Sequence, residues 1–313
     1  MAATRYPKDP GLTARMGVTM FLLLLLYVAF IGILIAVGVG YVFVLVLAVL
    51  LLGGQYWFSD RIALYAMHGH EVSPQQAPEL HAIVDRLCAL ANMPKPRVAI
   101  ADTDMPNAFA TGRSPKRAVV CATTGILRRL NEQELEAVLA HELSHVAHRD
   151  VAVMTLAGFL GVAAGLLTRT ILWSSMFGFG GGYGGGRGGG RGNGGQNIIL
   201  VEMAVLLVTV IVYAISFLLT RALSRYRELS ADRSGALLIG RPSLLASALQ
   251  KVSGDIARIP TRDLRRSEAF NAFFFAPARS NGFSLSSLFA THPPLEQRLA
   301  QLSQLEAQLG RSH

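Results

Sequence analysis

The chain has 313 residues, of which 51% are hydrophobic and only 16% charged, and its mean hydropathy is +0.40. That balance argues against a pair of ordinary soluble domains and for a membrane protein. The net charge of +9 could signal a nucleic-acid partner. Here, however, the basic residues flank apolar runs rather than interleaving with aromatics, so no nucleic acid is expected, and topology and anionic lipid headgroups account for the charge.

The first apolar run, Gly17 to Val39, is followed after a brief glycine-containing break by Tyr41 to Phe58. Each is about long enough to cross a hydrocarbon core of roughly 30 Å. Arg5, Lys8 and Arg15 precede the first run and Arg61 follows the second. The positive-inside rule then puts the N-terminus and everything after Arg61 in the cytosol, with a short outer turn near Gly38-Val39-Gly40. A cleaved signal peptide would be shorter and end in small residues, which this run does not. The expectation is a cytosolic tail over residues 1–15 and a membrane hairpin over 16–60.

Residues 61–151 read as a cytosolic catalytic segment. Pro74 to Ala91 carries apolar positions at helical spacing, and Pro96 to Asp102 is a short strand. Asn107-Ala-Phe-Ala-Thr-Gly112, a turn around Ser114-Pro-Lys116, and Ala118 to Thr123 predict a β-hairpin. The sheet is expected to be small and antiparallel. Its edge residues Asn107, Ala108, Phe109 and Ala110 are candidates to pair with an extended peptide. An ordinary sheet edge has the same pattern. His68 and His70 are spaced as on a strand or turn at the membrane interface, and Cys88 and Cys121 lack metal-ligand spacing, so free thiols are expected.

The next stretch, Glu132 to His148, is strongly helix-forming, with Asn131 at an N-cap position and Glu134 three residues on. It contains His141-Glu142-Leu-Ser-His145. On a helix His141 and His145 project from one face one turn apart, so both imidazoles reach a single metal ion. Glu142 lies about 100° round the helix. It is poorly placed to be a ligand and well placed to act as general base on water, which zinc acidifies to a pKa near 7. His148 shares the face but lies about 10 Å further along the axis, too far for the same ion.

Ala152 to Trp173 and Ile198 to Thr220 are two further runs of spanning length. They predict a transmembrane or membrane-embedded hairpin over 152–220 with a Gly-rich loop at 178–195. Arg169 and Glu202 sit at similar depth from the loop end and are expected to pair. An even number of crossings returns the chain to the side of His141. Residues 221–313 then read as a cytosolic helical segment, with an aromatic-rich patch at Phe270–Phe275.

That segment supplies the missing ligand. In Arg225-Tyr-Arg-Glu228-Leu-Ser-Ala-Asp232, Glu228 and Asp232 are one turn apart. Glu228 would complete a triad with His141 and His145, and Asp232 could accept a hydrogen bond from a ligand histidine. His292, in Thr291-His-Pro-Pro-Leu-Glu-Gln-Arg298 at a helix entry, is either a proton donor or oxyanion stabiliser beside the metal, or a surface histidine.

These four blocks, Asn107–Gly112, His141–His145, Arg227–Asp232 and Thr291–Arg298, resemble, and occur in the order of, the signature blocks of HtpX-type membrane metalloproteases. Those are relatives of the CaaX prenyl protease and of a mitochondrial inner-membrane protease. The resemblance covers essentially the whole chain. It implies a mostly α membrane protein with four transmembrane helices and a gluzincin-like α+β zinc-peptidase domain. It also implies one zinc per chain on His141, His145 and Glu228, with Glu142 as base and Asp232 in support. The implied partners are the lipid bilayer and polypeptide substrates, chiefly misfolded or damaged membrane proteins cleaved in a stress-linked quality-control role. The implied location is the bacterial inner membrane, with the active site facing the cytosol; an oligomer is compatible with the sequence but not readable from it. Three alternatives stand beside this one. A silent scaffold with a structural metal site would not need Glu142, and a transporter would need more than two charges near one membrane face. A CaaX-type processing protease usually has more spans.

Overall fold

The computed structural model describes residues 10–37, 41–176, 194–258 and 292–311. Its elements are α1 (Pro10–Val37), α2 (Tyr41–Trp57), α3 (Ser59–Ala66), β1 (Gly69–Glu71), α4 (Pro78–Ala91), β2 (Arg97–Ala101), β3 (Ala108–Thr111), β4 (Val119–Thr123), α5 (Thr124–Arg129) and α6 (Glu132–Ala147). They continue with α7 (Asp150–Met176), α8 (Gly194–Ile239), α9 (Pro242–Arg258) and α10 (Leu295–Gly310). The described residues divide into two compact units, one drawn from within Met1–Met16, Gln55–Val153 and Arg221–His313, the other from within Gly17–Gly54 and Met154–Thr220.

The second unit is helical and apolar inside and out. Phe30, Leu34, Ala164, Leu167, Val205 and Val212 form its core, and Tyr27 donates to the Leu156 carbonyl at 2.6 Å. Phe21, Leu22, Val28, Leu50, Leu207 and Ile211 stay exposed, an outer face that water does not tolerate and lipid does. Among the described residues three stretches, Thr13–Ala36, Asp150–Arg169 and Met203–Ile239, are long and apolar enough to cross a membrane. The apolar part of α2, Leu45–Trp57, is shorter. The side chain of Glu202, on which the expected pair with Arg169 rests, lies outside the described residues. So do Gly38–Gly40, Phe270–Phe275 and all but the last two positions of the Gly-rich loop.

The first unit holds a four-stranded sheet in the order β1-β2-β4-β3. The hairpin expectation holds: β3 and β4 are antiparallel, Ala108 opposite Ala122 and Thr111 opposite Val119. The expectation of an all-antiparallel sheet does not. β2 and β4 run parallel, Arg97 opposite Val119 through Ala101 opposite Thr123. The hairpin folds so that β3 takes the outer edge and β4 inserts beside β2, a crossover that no local pattern announces. All five residues of β4 are buried, as a central strand requires. His68 takes a left-handed backbone (φ 52) before β1, and α4 starts at Pro78, four residues later than its apolar spacing predicts.

Helices cover one face of this sheet. Ile83, Val84 and Leu87 of α4, Val138, Leu139 and Leu143 of α6, Leu245 and Leu249 of α9, and Leu302 and Leu305 of α10 share one core. Cys88 and Cys121 are free and buried, and burial pushes their thiols up to about 11 and about 12, so neither is a nucleophile at neutral pH. The start of α6 is fixed twice. Asn131 accepts from the Glu134 amide at 2.9 Å and donates its own amide to the Glu134 carboxylate at 3.1 Å, a full capping box. That carboxylate, buried, also takes Ser247 at 2.6 Å and Lys251 at 2.8 Å from α9. Replacing Asn131 by Ala is expected to lower stability by about 1 kcal/mol, read as a lower melting temperature in detergent; an unchanged melt would show that α9 alone holds the helix start.

Candidate metal centre

Helix α6 is buried on almost every side, so its polar face looks into the unit rather than at solvent: His141 is 1% and Glu142 5% exposed. The i, i+4 spacing brings the two rings together edge to face, their Nε2 atoms 3.2 Å apart. Glu228 of α8 reaches the same point, Oε2 at 3.7 Å from His141 Nε2 and Oε1 at 3.4 Å from His145 Nε2. Among the described residues these three form the one group able to hold a metal ion, their donor atoms all within 4.8 Å of one another. Donors held about 2.0–2.1 Å from zinc at tetrahedral angles stand about 3.3–3.4 Å apart. The observed separations fit. His148 falls at the end of α6 and outside the group.

The electrostatics fit a cation as well. Burial pushes His145 down to about 4, aided by the neighbouring His141, which leaves it neutral, the form of imidazole that a metal needs. Burial also opposes charge on His141, but hydrogen bonds to Asp232 and Glu228 outweigh it and hold the ring up at about 9. Carboxylates that attract a proton so strongly attract a metal cation in its place.

The candidate ligands are held from behind. Asp232 Oδ1 lies 2.9 Å from His141 Nδ1, the contact anticipated from sequence. Arg298 of α10 grips Asp232 with two bonds of 2.7 and 2.6 Å, and both side chains are fully buried. His292 Nδ1 sits 3.0 Å from Glu228 Oε2. Glu142 stands apart: its Oε1 is 4.0 Å from His141 Nε2, and its Oε2 accepts from the Ala110 amide of the sheet edge at 3.1 Å. Burial raises its pKa.

Residues 74–306 match the family described as Peptidase family M48. The chain belongs to that family. It is 58% identical over 307 residues to Protease HtpX homolog 1 of Streptomyces coelicolor, covering 98% of this chain and 97% of that one. Against Protease HtpX homolog of Moorella thermoacetica it is 55% identical, covering 96% of each chain, and against that of Pyrococcus furiosus 40%, covering 96% and 98%. The crystal structure of S. mikatae Ste24p shares the fold, with a TM-score of 0.50 at 16% identity, covering 94% of this chain and 66% of that one. This M48 chain is thus a membrane metalloprotease.

The structure brings together His141, Glu142, His145, Glu228, Asp232 and His292, and adds the amide of Ala110. Phe109 turns away, its ring packing with Ala63, Ala99 and Val119 on the other face of the sheet, and the backbone of Asn107 is tied to Thr123. Sequence reasoning missed Asp150, Arg227, Arg298 and Gly235. Arg298 was visible as a charge in an otherwise amphipathic helix start, and Gly235 as a glycine one turn past Asp232. A Cβ on Gly235 would lie 2.7 Å from the His141 nitrogen and 2.9 Å from its Cα, so the glycine lets α8 touch the backbone of α6. Gly235→Ala is expected to force the helices apart at a cost of about 1–3 kcal/mol and to lower melting temperature and metal content together. A variant that melts and loads metal like the wild type would refute the close-contact account.

Proposed function

We propose that the chain holds one zinc ion on His141, His145 and Glu228 and uses Glu142 as general base to hydrolyse peptide bonds of misfolded or damaged membrane proteins. The observation that carries this is the convergence of the three donors beside a carboxylate that is not one of them. Two imidazoles and one carboxylate are a donor set that suits zinc. Bound there, zinc would polarise the scissile carbonyl and acidify water.

The chain's own residues do the rest. Glu142 takes a proton from the attacking water and delivers it to the leaving amine nitrogen. Its burial, which raises its affinity for a proton, suits it to that exchange. Asp232 keeps the proton of His141 on Nδ1, so that Nε2 presents its lone pair to the ion. His292, buried beside Glu228, donates to the oxyanion as it develops. Strand β3, at the sheet edge, takes an extended substrate segment along Ala108 to Ala110. The edge position and the Ala110 amide at Glu142 support this.

The same reading has four spans, α1, α2, α7 and the first part of α8. The catalytic segments 61–151 and 221–313 face the cytosol of a bacterial inner membrane, in line with Arg15 before the first run and Arg61 after the second. Unfolded membrane protein serves as the test substrate. The purified wild type should cleave it, chelation should stop cleavage and zinc should restore it. Glu142→Gln should lose at least about 100-fold in rate while holding the same zinc; cleavage at the wild-type rate would remove Glu142 from the reaction. His292→Ala should lower kcat by about 100- to 1,000-fold at unchanged zinc content, and a change confined to KM would reassign His292 to substrate binding.

A further inference from the structure

The two histidines are held by matching devices, and only one of them is foreseen by the motif spacing. Behind His141 stand Asp232 and Arg298. Behind His145 stand Asp150, whose Oδ2 contacts Nδ1 of the ring, and Arg227, whose Nη2 pairs with the same carboxylate oxygen. All of these side chains are buried or nearly so: those of Asp150 and Arg227 are 12% and 4% exposed.

The route by which Asp150 reaches the ring is unusual. A helix continued through residue 150 would place it about 140° round the axis from His145 and about 7.5 Å further along. Helix α6 instead ends at Ala147, and Arg149 adopts a left-handed backbone with φ of 56°, uncommon for a residue other than glycine. That turn starts α7 at Asp150 and swings the carboxylate back over His145. Strained backbone of this kind persists where the surroundings over-determine it, and it clusters at functional sites.

We infer that Asp150, delivered by the left-handed Arg149 and held by Arg227, is the positioning residue for His145: it keeps the proton on Nδ1 and aims Nε2 at the metal. Arg227 immediately precedes Glu228 on α8, so one helix carries both a ligand and the clamp on a second ligand. The inference rests on the zinc site proposed above. A purely structural role, as the acidic residue of the first turn of α7, would stabilise the fold without acting on the metal.

The test uses the full chain in detergent, with zinc affinity read by competition with a chromogenic chelator and the melting temperature read on chelator-stripped protein. Cobalt, loaded in place of zinc, reports ligand geometry through its visible spectrum. Asp150→Ala should weaken zinc about 10- to 100-fold and alter the cobalt spectrum. Asp150→Asn, isosteric and still offering an oxygen acceptor to Nδ1–H, should lose less and guards against misfolding of the alanine variant. Arg149→Val, which resists a left-handed backbone, should weaken zinc without touching any ligand, whereas Arg149→Gly should bind as the wild type does. If the Asp150 variants melt lower yet bind zinc within about twofold of wild type, the inference is overturned and Asp150 is structural. If the wild type itself takes up no zinc, the metal site falls and this inference falls with it.

Discussion

The contact between α8 and α6 at Gly235 is the constraint on which the centre depends. Glu228, Asp232 and Gly235 follow one another at helical intervals of four and three, so they form a single stripe down α8. Where the stripe has no side chain, the two backbones meet beside His141. One turn away a short carboxylate reaches the back of the His141 ring, and one turn further a longer carboxylate reaches its front. The rise in side-chain length from Gly to Asp to Glu along the stripe matches two helices that diverge from a point of contact.

That geometry buries an unusual density of charge. Glu142, Glu228 and Asp232 meet the imidazoles of His141, His145 and His292 and the guanidinium of Arg298, with Asp150 and Arg227 alongside. An ion taken out of water loses several kcal/mol of solvation unless it is paired and hydrogen-bonded. Here every carboxylate has a named partner, and the arginines come from elements distant in the chain. Arg298 lies 66 residues from Asp232, so α10 docks onto the core through an ion pair that is itself part of the support of His141. Burial alone would drive both histidines to neutrality. It does so for His145, whereas Asp232 and Glu228 reverse it for His141. The centre thus pairs a neutral imidazole with one held in a strong anionic field, an arrangement tuned by position rather than by residue type.

Much of this was legible without coordinates, because it is encoded at the scale of one helical turn. The capping box at Asn131, the common face of His141 and His145, the offset of Glu142, and the pair Glu228 and Asp232 all follow from 3.6 residues per turn. The hairpin of β3 and β4 was legible for the same reason, since alternation and a Ser-Pro turn lie within a few residues of each other. The parallel placement of β2 against β4 was not, because strand order depends on which edge a hairpin folds to, and both faces of β4 are buried whichever neighbour it takes. Asp150 was hidden by its spacing: five residues after His145 is the wrong phase for a shared face, and only the left-handed Arg149 brings it round.

The sequence by itself determined the class of protein and the local parts of the candidate centre. Apolar runs of membrane length, two imidazoles one turn apart and a carboxylate pair on a later helix each carry their meaning locally. Tertiary structure alone decided how those parts are held. The sheet's strand order, the meeting of α8 with α6 at Gly235, and the Asp–Arg pairs behind the two histidines join residues tens of positions apart. Such contacts are selected by burial and charge compensation in three dimensions, and a one-dimensional period carries no record of them.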